Sequence, residues 1–177
     1  MLHNVPRRIP RRLEAARGYL LLDMYDQALD ELDDIEPPAE FAFDWHVLRG
    51  DALRGRKEFR AAIRSFESAQ ALTPNKLDVL MGLAWCFKRT DQLPRSIETM
   101  QQAYQHHRDE PIVLYNLSCY YALAGNKEQA LPWLGRALRM QSDLRKLIPT
   151  ETDFDSLRND ADFQRLIELT EPGPVKK

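Results

Sequence analysis

Valine and glycine are scarce in this chain. Five Val stand against 25 Leu and 17 Ala, and seven Gly is few for a chain full of turns, so the residues favour helix over sheet twice over. No apolar run approaches the ~20 residues of a membrane span, and Met1-Leu-His-Asn-Val-Pro-Arg-Arg lacks the apolar core of a signal peptide. The expected compartment is the cytoplasm, with no membrane contact. Only two cysteines are present, Cys86 and Cys119, at a spacing one step off any common register. They read as two buried thiols pointing in different directions.

Catalytic patterns are missing as well. There is no Gly-rich phosphate loop and no Ser/His/Asp order, and His3, His46, His106 and His107 have no Cys or carboxylate at metal-ligand spacing. Gly50-Asp-Ala-Leu-Arg-Gly55 has two glycines, but Gly50 belongs to a packing column and Gly55 is expected to end a helix. The chain is therefore expected to be no enzyme, with no catalytic residue, cofactor or metal.

What is present is an echo. Ala28, Ala62, Ser96 and Ala130 fall 34 residues apart, each in the same kind of phrase, as in Tyr25-Asp-Gln-Ala28-Leu and Lys127-Glu-Gln-Ala130-Leu. A second small column reads Ala16, Gly50, Ala84, Ser118, and a large one Tyr19, Leu53, Phe87, Tyr121. Two more read Leu32, Phe66, Met100, Leu134 and Ile35, Ala69, Ala103, Ala137. Spacings of three and four put these on single helical faces. A 34-residue period points to helix-turn-helix units stacked into a solenoid, an architecture whose usual work is binding proteins.

These columns resemble the tetratricopeptide repeat family, whose pattern is W-x2-L-G-x2-Y, then A-x3-F, then P. Tyr115-Asn-Leu117-Ser-Cys-Tyr-Tyr121 carries the pattern most fully. The resemblance implies an all-α, right-handed α-solenoid of four repeats, residues 9–42, 43–76, 77–110 and 111–142. A basic tail would precede them at 1–8, a C-terminal helical cap follow at 143–170, and a tail close the chain at 171–177. In the family's Trp column stand Arg12, His46, Leu80 and Leu114, so the first helices of the first two repeats are expected to be less buried on that side. Pro149 is expected to stop a helix begun at Leu144, after which Phe154, Leu157, Phe163, Leu166 and Ile167 cover the end of the stack.

Residues beside the packing columns on each first helix are expected to line a concave groove. They include Arg17 in the first repeat, Asp51 and Arg54 in the second, Met81, Trp85, Lys88 and Arg89 in the third, and Tyr115 in the fourth. Trp85 and Tyr115 are the candidate anchors, since aromatic and Arg residues dominate binding hot spots. Packing of Trp85 on its own neighbours is the competing reading. One subclass of the family grips a terminal carboxylate with Lys and Asn, but Leu13, Arg17, Asp51, Met81 and Trp85 occupy those slots here, and Asp51 repels a carboxylate.

The leading reading is an adaptor or assembly factor holding an extended or helical segment of another protein. A secretion-type chaperone shielding apolar client segments is the alternative, and self-association stays open. With a net charge of −2 and Asp44, Asp51 and Asp78 on the groove, no nucleic acid is expected. Nine acids and no Lys or Arg lie between Asp23 and Asp44, which reads as a solvated face or a contact for a basic partner.

Overall fold

The computed structural model describes residues 5–170. Among them are nine α-helices and two 3-10 helices, with no strand and no helix long and apolar enough to cross a membrane. Helix-turn-helix repeats are followed by a short C-terminal helical segment, as expected. The helices are α1 (Val5–Leu21), α2 (Tyr25–Asp33), α3 (Ala39–Gly55), α4 (Phe59–Leu72), α5 (Leu77–Arg89), α6 (Leu93–His106), α7 (Pro111–Leu123), α8 (Lys127–Met140) and α9 (Ala161–Leu169). Residues 5–8, expected in a basic tail, are the first turns of α1, which carries Pro10 within it. The rest of that tail and residues 171–177 lie outside the described residues.

The chain forms two compact units, one ending at Gln92 and the other starting at Leu93. In the first, Arg12 of α1 reaches the Glu31 carbonyl and the Asp34 carboxylate near the end of α2, so α1 and α2 run antiparallel. Arg49 of α3 donates to Ser65 of α4, the same relation one repeat later. Trp45 Nε1 donates to the Leu32 carbonyl at 2.9 Å and ties α3 back to α2. The expected exposure gradient is present: the Arg12 side chain is 22 % exposed and His46 half-buried, whereas Leu80 and Leu114 are fully buried.

Every turn from first to second helix is built alike. Asp23, Lys57, Asp91 and Gly125 take left-handed φ of 56°, 64°, 59° and 71°, and they too are 34 apart. The next amide in each case donates back to the large apolar column: Met24 to Tyr19, Glu58 to Leu53, Gln92 to Phe87 and Asn126 to Tyr121, at 2.8–2.9 Å. This closes the helix end by satisfying its last carbonyls. Gly55 ends α3 as expected, but as its last helical residue, the left-handed position falling at Lys57; a Cβ on Gly55 would stand 2.3 Å from the Tyr25 ring.

Phe66 is the largest residue of its column, and two glycines make room for it. It is 1 % exposed; a Cβ on Gly50 of α3 would lie 2.6 Å from its ring, and one on Gly82 of α5 2.8 Å. Leu32, Met100 and Leu134 occupy the same column in the other repeats.

In the second unit, Tyr104 of α6 packs edge-on against Trp133 of α8 at 4.8 Å, with the Arg136 guanidinium over both rings. After α8 the chain forms the expected short helix as a 3-10 helix, Ser142–Thr150, starting two residues before Leu144, and Pro149 sits inside it one residue from its end. At nine residues it is longer than most 3-10 runs. A second 3-10 helix, Thr152–Leu157, lies on α7. Then α9 starts at Asp160, whose carboxylate accepts from Asp162 and Phe163 amides and from Lys127 Nζ at 2.8 Å. Lys127 holds the Asp160 carboxyl below its ordinary range, with the two amides adding to the effect. Phe154, Leu157 and Phe163 are buried, and Leu166 and Ile167 half-buried, so this segment is packed.

Three measurements bear on this packing. Gly50→Ala is expected to lose about 1–3 kcal/mol by overpacking, although Ala is the better helix former by roughly 0.5–1 kcal/mol. Phe66→Leu should restore much of that loss, and urea unfolding of the two single variants and the double measures the coupling. Lys57→Gly should gain about 0.5–1 kcal/mol by relieving a left-handed Lys, read as a higher melting temperature. Truncation after Thr152 should lower the melting temperature or cause aggregation, and Phe163→Ala alone should cost about 3–5 kcal/mol.

Candidate functional site

The register that places the packing columns also places a surface column. Arg17, Asp51, Trp85 and Cys119 are 34 apart, and so are Val47, Met81 and Tyr115. In the first unit these positions stay open to solvent. Arg17 of α1 is exposed and faces Glu14 of its own helix at 3.8 Å. Asp51 and Arg54, one turn apart on α3, form an ion pair at 2.8 Å with side chains about a third exposed, 34 % and 39 %. Burial raises the Asp51 carboxyl above its ordinary range; Arg54 works against that shift and Asp78 adds to it.

Trp85 of α5 is both packed and presented. Its ring meets Phe59 edge-on at 5.2 Å, and the guanidinium carbons of Arg54 and Arg89 lie 5.9 and 5.8 Å from its centre. Arg89 also covers Phe59 at 5.5 Å. Even so, 36 % of Trp85 remains exposed. Its neighbours thus fix the ring and leave a face uncovered. Each exposed cation–aromatic contact is worth about 0.5–1 kcal/mol, enough to hold an orientation. Met81 and Lys88 are half-buried on the same helix.

Beside this cluster is an open depression of about 520 Å³ at the start of α4, sharing Phe59 and Arg89 with it. Lys57, Arg60, Arg64 and Arg89 outnumber Glu58 and Asp91 around it. Sequence reasoning missed this feature, because its charges come from the αL turn and from two helices that no single column joins.

Tyr115 is not on a surface. It is 2 % exposed, with its ring edge-on to Phe154 at 5.9 Å. Cys119 and Ala122, on the same helix, are also buried, 2 % exposed each. The 3-10 segment Thr152–Leu157 covers α7 on the side that α5 leaves open at the matching positions Met81 and Trp85. The expectation that Trp85 and Tyr115 share an accessible concavity is corrected accordingly. Burial pushes the Tyr115 phenol well above its ordinary range, helped by Cys119, Glu151 and Asp153.

Both cysteines are buried thiols, as expected, and neither is in a disulfide. Burial pushes the Cys86 thiol up to about 11, Arg54 working against the shift and Asp51 with it, so it is an inert thiol at neutral pH. Four of the nine acids between Asp23 and Asp44 are in ion pairs. Arg12 pairs with Glu31 and Asp34, Arg49 with Asp33 and Arg56 with Asp26, while Asp30, Glu36, Glu40 and Asp44 stay exposed.

No family model matches the sequence. The chain is 24 % identical over 129 residues to the general transcriptional corepressor ssn6 of Schizosaccharomyces pombe, a match to 72 % of this chain and only 12 % of that protein. Among solved structures, a crystal structure of MamA aligns with a TM-score of 0.72 at 17 % identity, covering 80 % of this chain and 82 % of that one. MamA residues 41 to the end from Desulfovibrio magneticus RS-1 gives 0.71 at 16 % identity, covering 78 % of each. YrrB, described as a TPR protein with an unusual peptide-binding site, gives 0.65 at 21 % identity over 73 % of this chain and 66 % of that one. What these structures share with this chain is the fold: stacked helix-turn-helix repeats.

Proposed function

We propose that this chain is a non-enzymatic protein-interaction module, and that its first unit holds a partner's segment, extended or helical, against α3 and α5. The observation carrying this reading is the partly exposed Trp85, its ring held by Phe59, Arg54 and Arg89. A fixed aromatic ring loses little freedom on binding, which is what makes such residues hot spots. Asp51, Met81 and Lys88 supply the mixed polar and apolar border. The basic depression next to Arg89 favours a segment with an acidic residue beside its apolar or aromatic anchor. Likeness to YrrB, whose description names a peptide-binding site, supports the general reading. The chaperone alternative has less behind it, because the exposed large apolar residues, such as Leu21, Leu72 and Trp85, sit on separate helices rather than in one run.

A displayed peptide library selected on the purified protein tests this directly. Acid-bearing sequences with an aromatic or apolar anchor should be enriched. Replacing Trp85 and Lys88 together by Ala should weaken the selected peptides at least about 100-fold, matching the loss of one or two hot-spot contacts, with helicity unchanged by circular dichroism. Raising salt should weaken them further, as a screened contact must. Unchanged affinity in the double variant would place binding elsewhere, with the exposed acids Asp30, Glu36 and Asp44 next in line for charge reversal.

A further inference from the structure

Four donor groups that the interaction surface does not use converge in the second unit. Cys119 Sγ and one carboxylate oxygen each from Glu151 and Asp153 all lie within 4.8 Å of one another. Tyr115 stands one turn before Cys119 on α7, and its phenol faces the same three groups. The residue is 2 % exposed, and its phenolic oxygen is buried with no well-formed hydrogen bond, only a looser one to the Cys119 side chain. Buried polar atoms are nearly always well satisfied, so a phenol held this weakly has room for a stronger partner. Asp153, 6 % exposed, is the only charged side chain in the buried class among the described residues.

We propose that Cys119, Glu151 and Asp153 bind a divalent metal ion of the zinc class, with the Tyr115 phenol as fourth donor. A thiolate selects a borderline or soft metal over Mg²⁺ and Ca²⁺, and carboxylate oxygens complete zinc sites readily. Tetrahedral zinc at its usual bond lengths holds its ligand atoms about 3.3–3.8 Å apart, so the cluster closes with a contraction of roughly 1–1.5 Å from its widest spacing. The i,i+4 spacing fixes two donors on one face of α7. Glu151 is already oriented, because its carboxylate accepts from the Asp153 amide at 3.2 Å. On binding, the Cys119 thiol gives its proton to solvent and the ion balances the charge so created. Half-buried Glu151 provides the side from which the ion enters. The bound ion ties the 3-10 segment to α7 and fixes Phe154 over Tyr115.

Cobalt(II) alone is the probe, added to chelator-stripped protein in a Cys86→Ala background that leaves Cys119 as the single thiol. Binding should give a thiolate-to-cobalt charge-transfer band that saturates at one equivalent and is erased by zinc. Cys119→Ser should abolish the band. Asp153→Asn should weaken cobalt binding about 10–100-fold or more, and Tyr115→Phe, which keeps the ring packed on Phe154, about 10-fold or more. If Cys119→Ser does not fold, Tyr115→Phe and Glu151→Gln carry the test through affinity. Absence of a charge-transfer band, its persistence in folded Cys119→Ser, or an affinity unmoved by Asp153→Asn and Tyr115→Phe overturns the assignment.

Discussion

Steric exclusion around one ring governs the first unit. Phe66 occupies a column whose other members are Leu and Met, and it fits because α3 and α5 each present bare backbone to it at Gly50 and Gly82. Glycine inside a helix carries a conformational cost, and here two are spent on one side chain. In return Phe66 packs against the bare backbone of both α3 and α5. The orientation of Trp85 depends on this packing, since it stands one turn beyond Gly82 on α5 and leans on Phe59, two turns before Phe66 on α4.

The second unit solves a different problem. Its fourth repeat has no further repeat to pack against, and a stack left open exposes apolar surface. The chain answers with short 3-10 pieces and α9, pinned by Lys127 to Asp160 and Asp162. The covering residues come from outside the repeat and reach the positions equivalent to Met81 and Trp85, so Tyr115 and Cys119 become core. Equivalent positions in one sequence column thus have opposite fates, decided by whichever segment comes next along the chain and not by the column itself.

Here lies the limit of sequence legibility. Helix content, repeat period and the packing columns were legible, because periodic burial writes periodic residues: Ala28, Ala62, Ser96 and Ala130 are all 0–1 % exposed. The left-handed turn column gave no signal at Lys57, since Lys carries no mark of positive φ and nearby Gly55 offers a more conventional stop. Gly82 lies outside the small columns and gains meaning only from Phe66. Arg54, Trp85 and Arg89 were recognisable as surface residues, whereas their mutual arrangement needed side-chain geometry. Tyr115, Cys119, Glu151 and Asp153 span two elements with no motif linking them, so their convergence had no sequence signal.

Covering of α7 by residues 152–157 has a consequence for how the binding surface is measured out. That segment belongs to the same chain, reached through α8 and the first 3-10 helix, so any ligand reaching for Tyr115 and Cys119 competes with an intramolecular neighbour. An untethered peptide of ordinary affinity loses that contest. The surface column therefore behaves as a ruler whose last mark is already occupied: it is legible from Arg17 through Trp85, and the chain itself sets where reading stops.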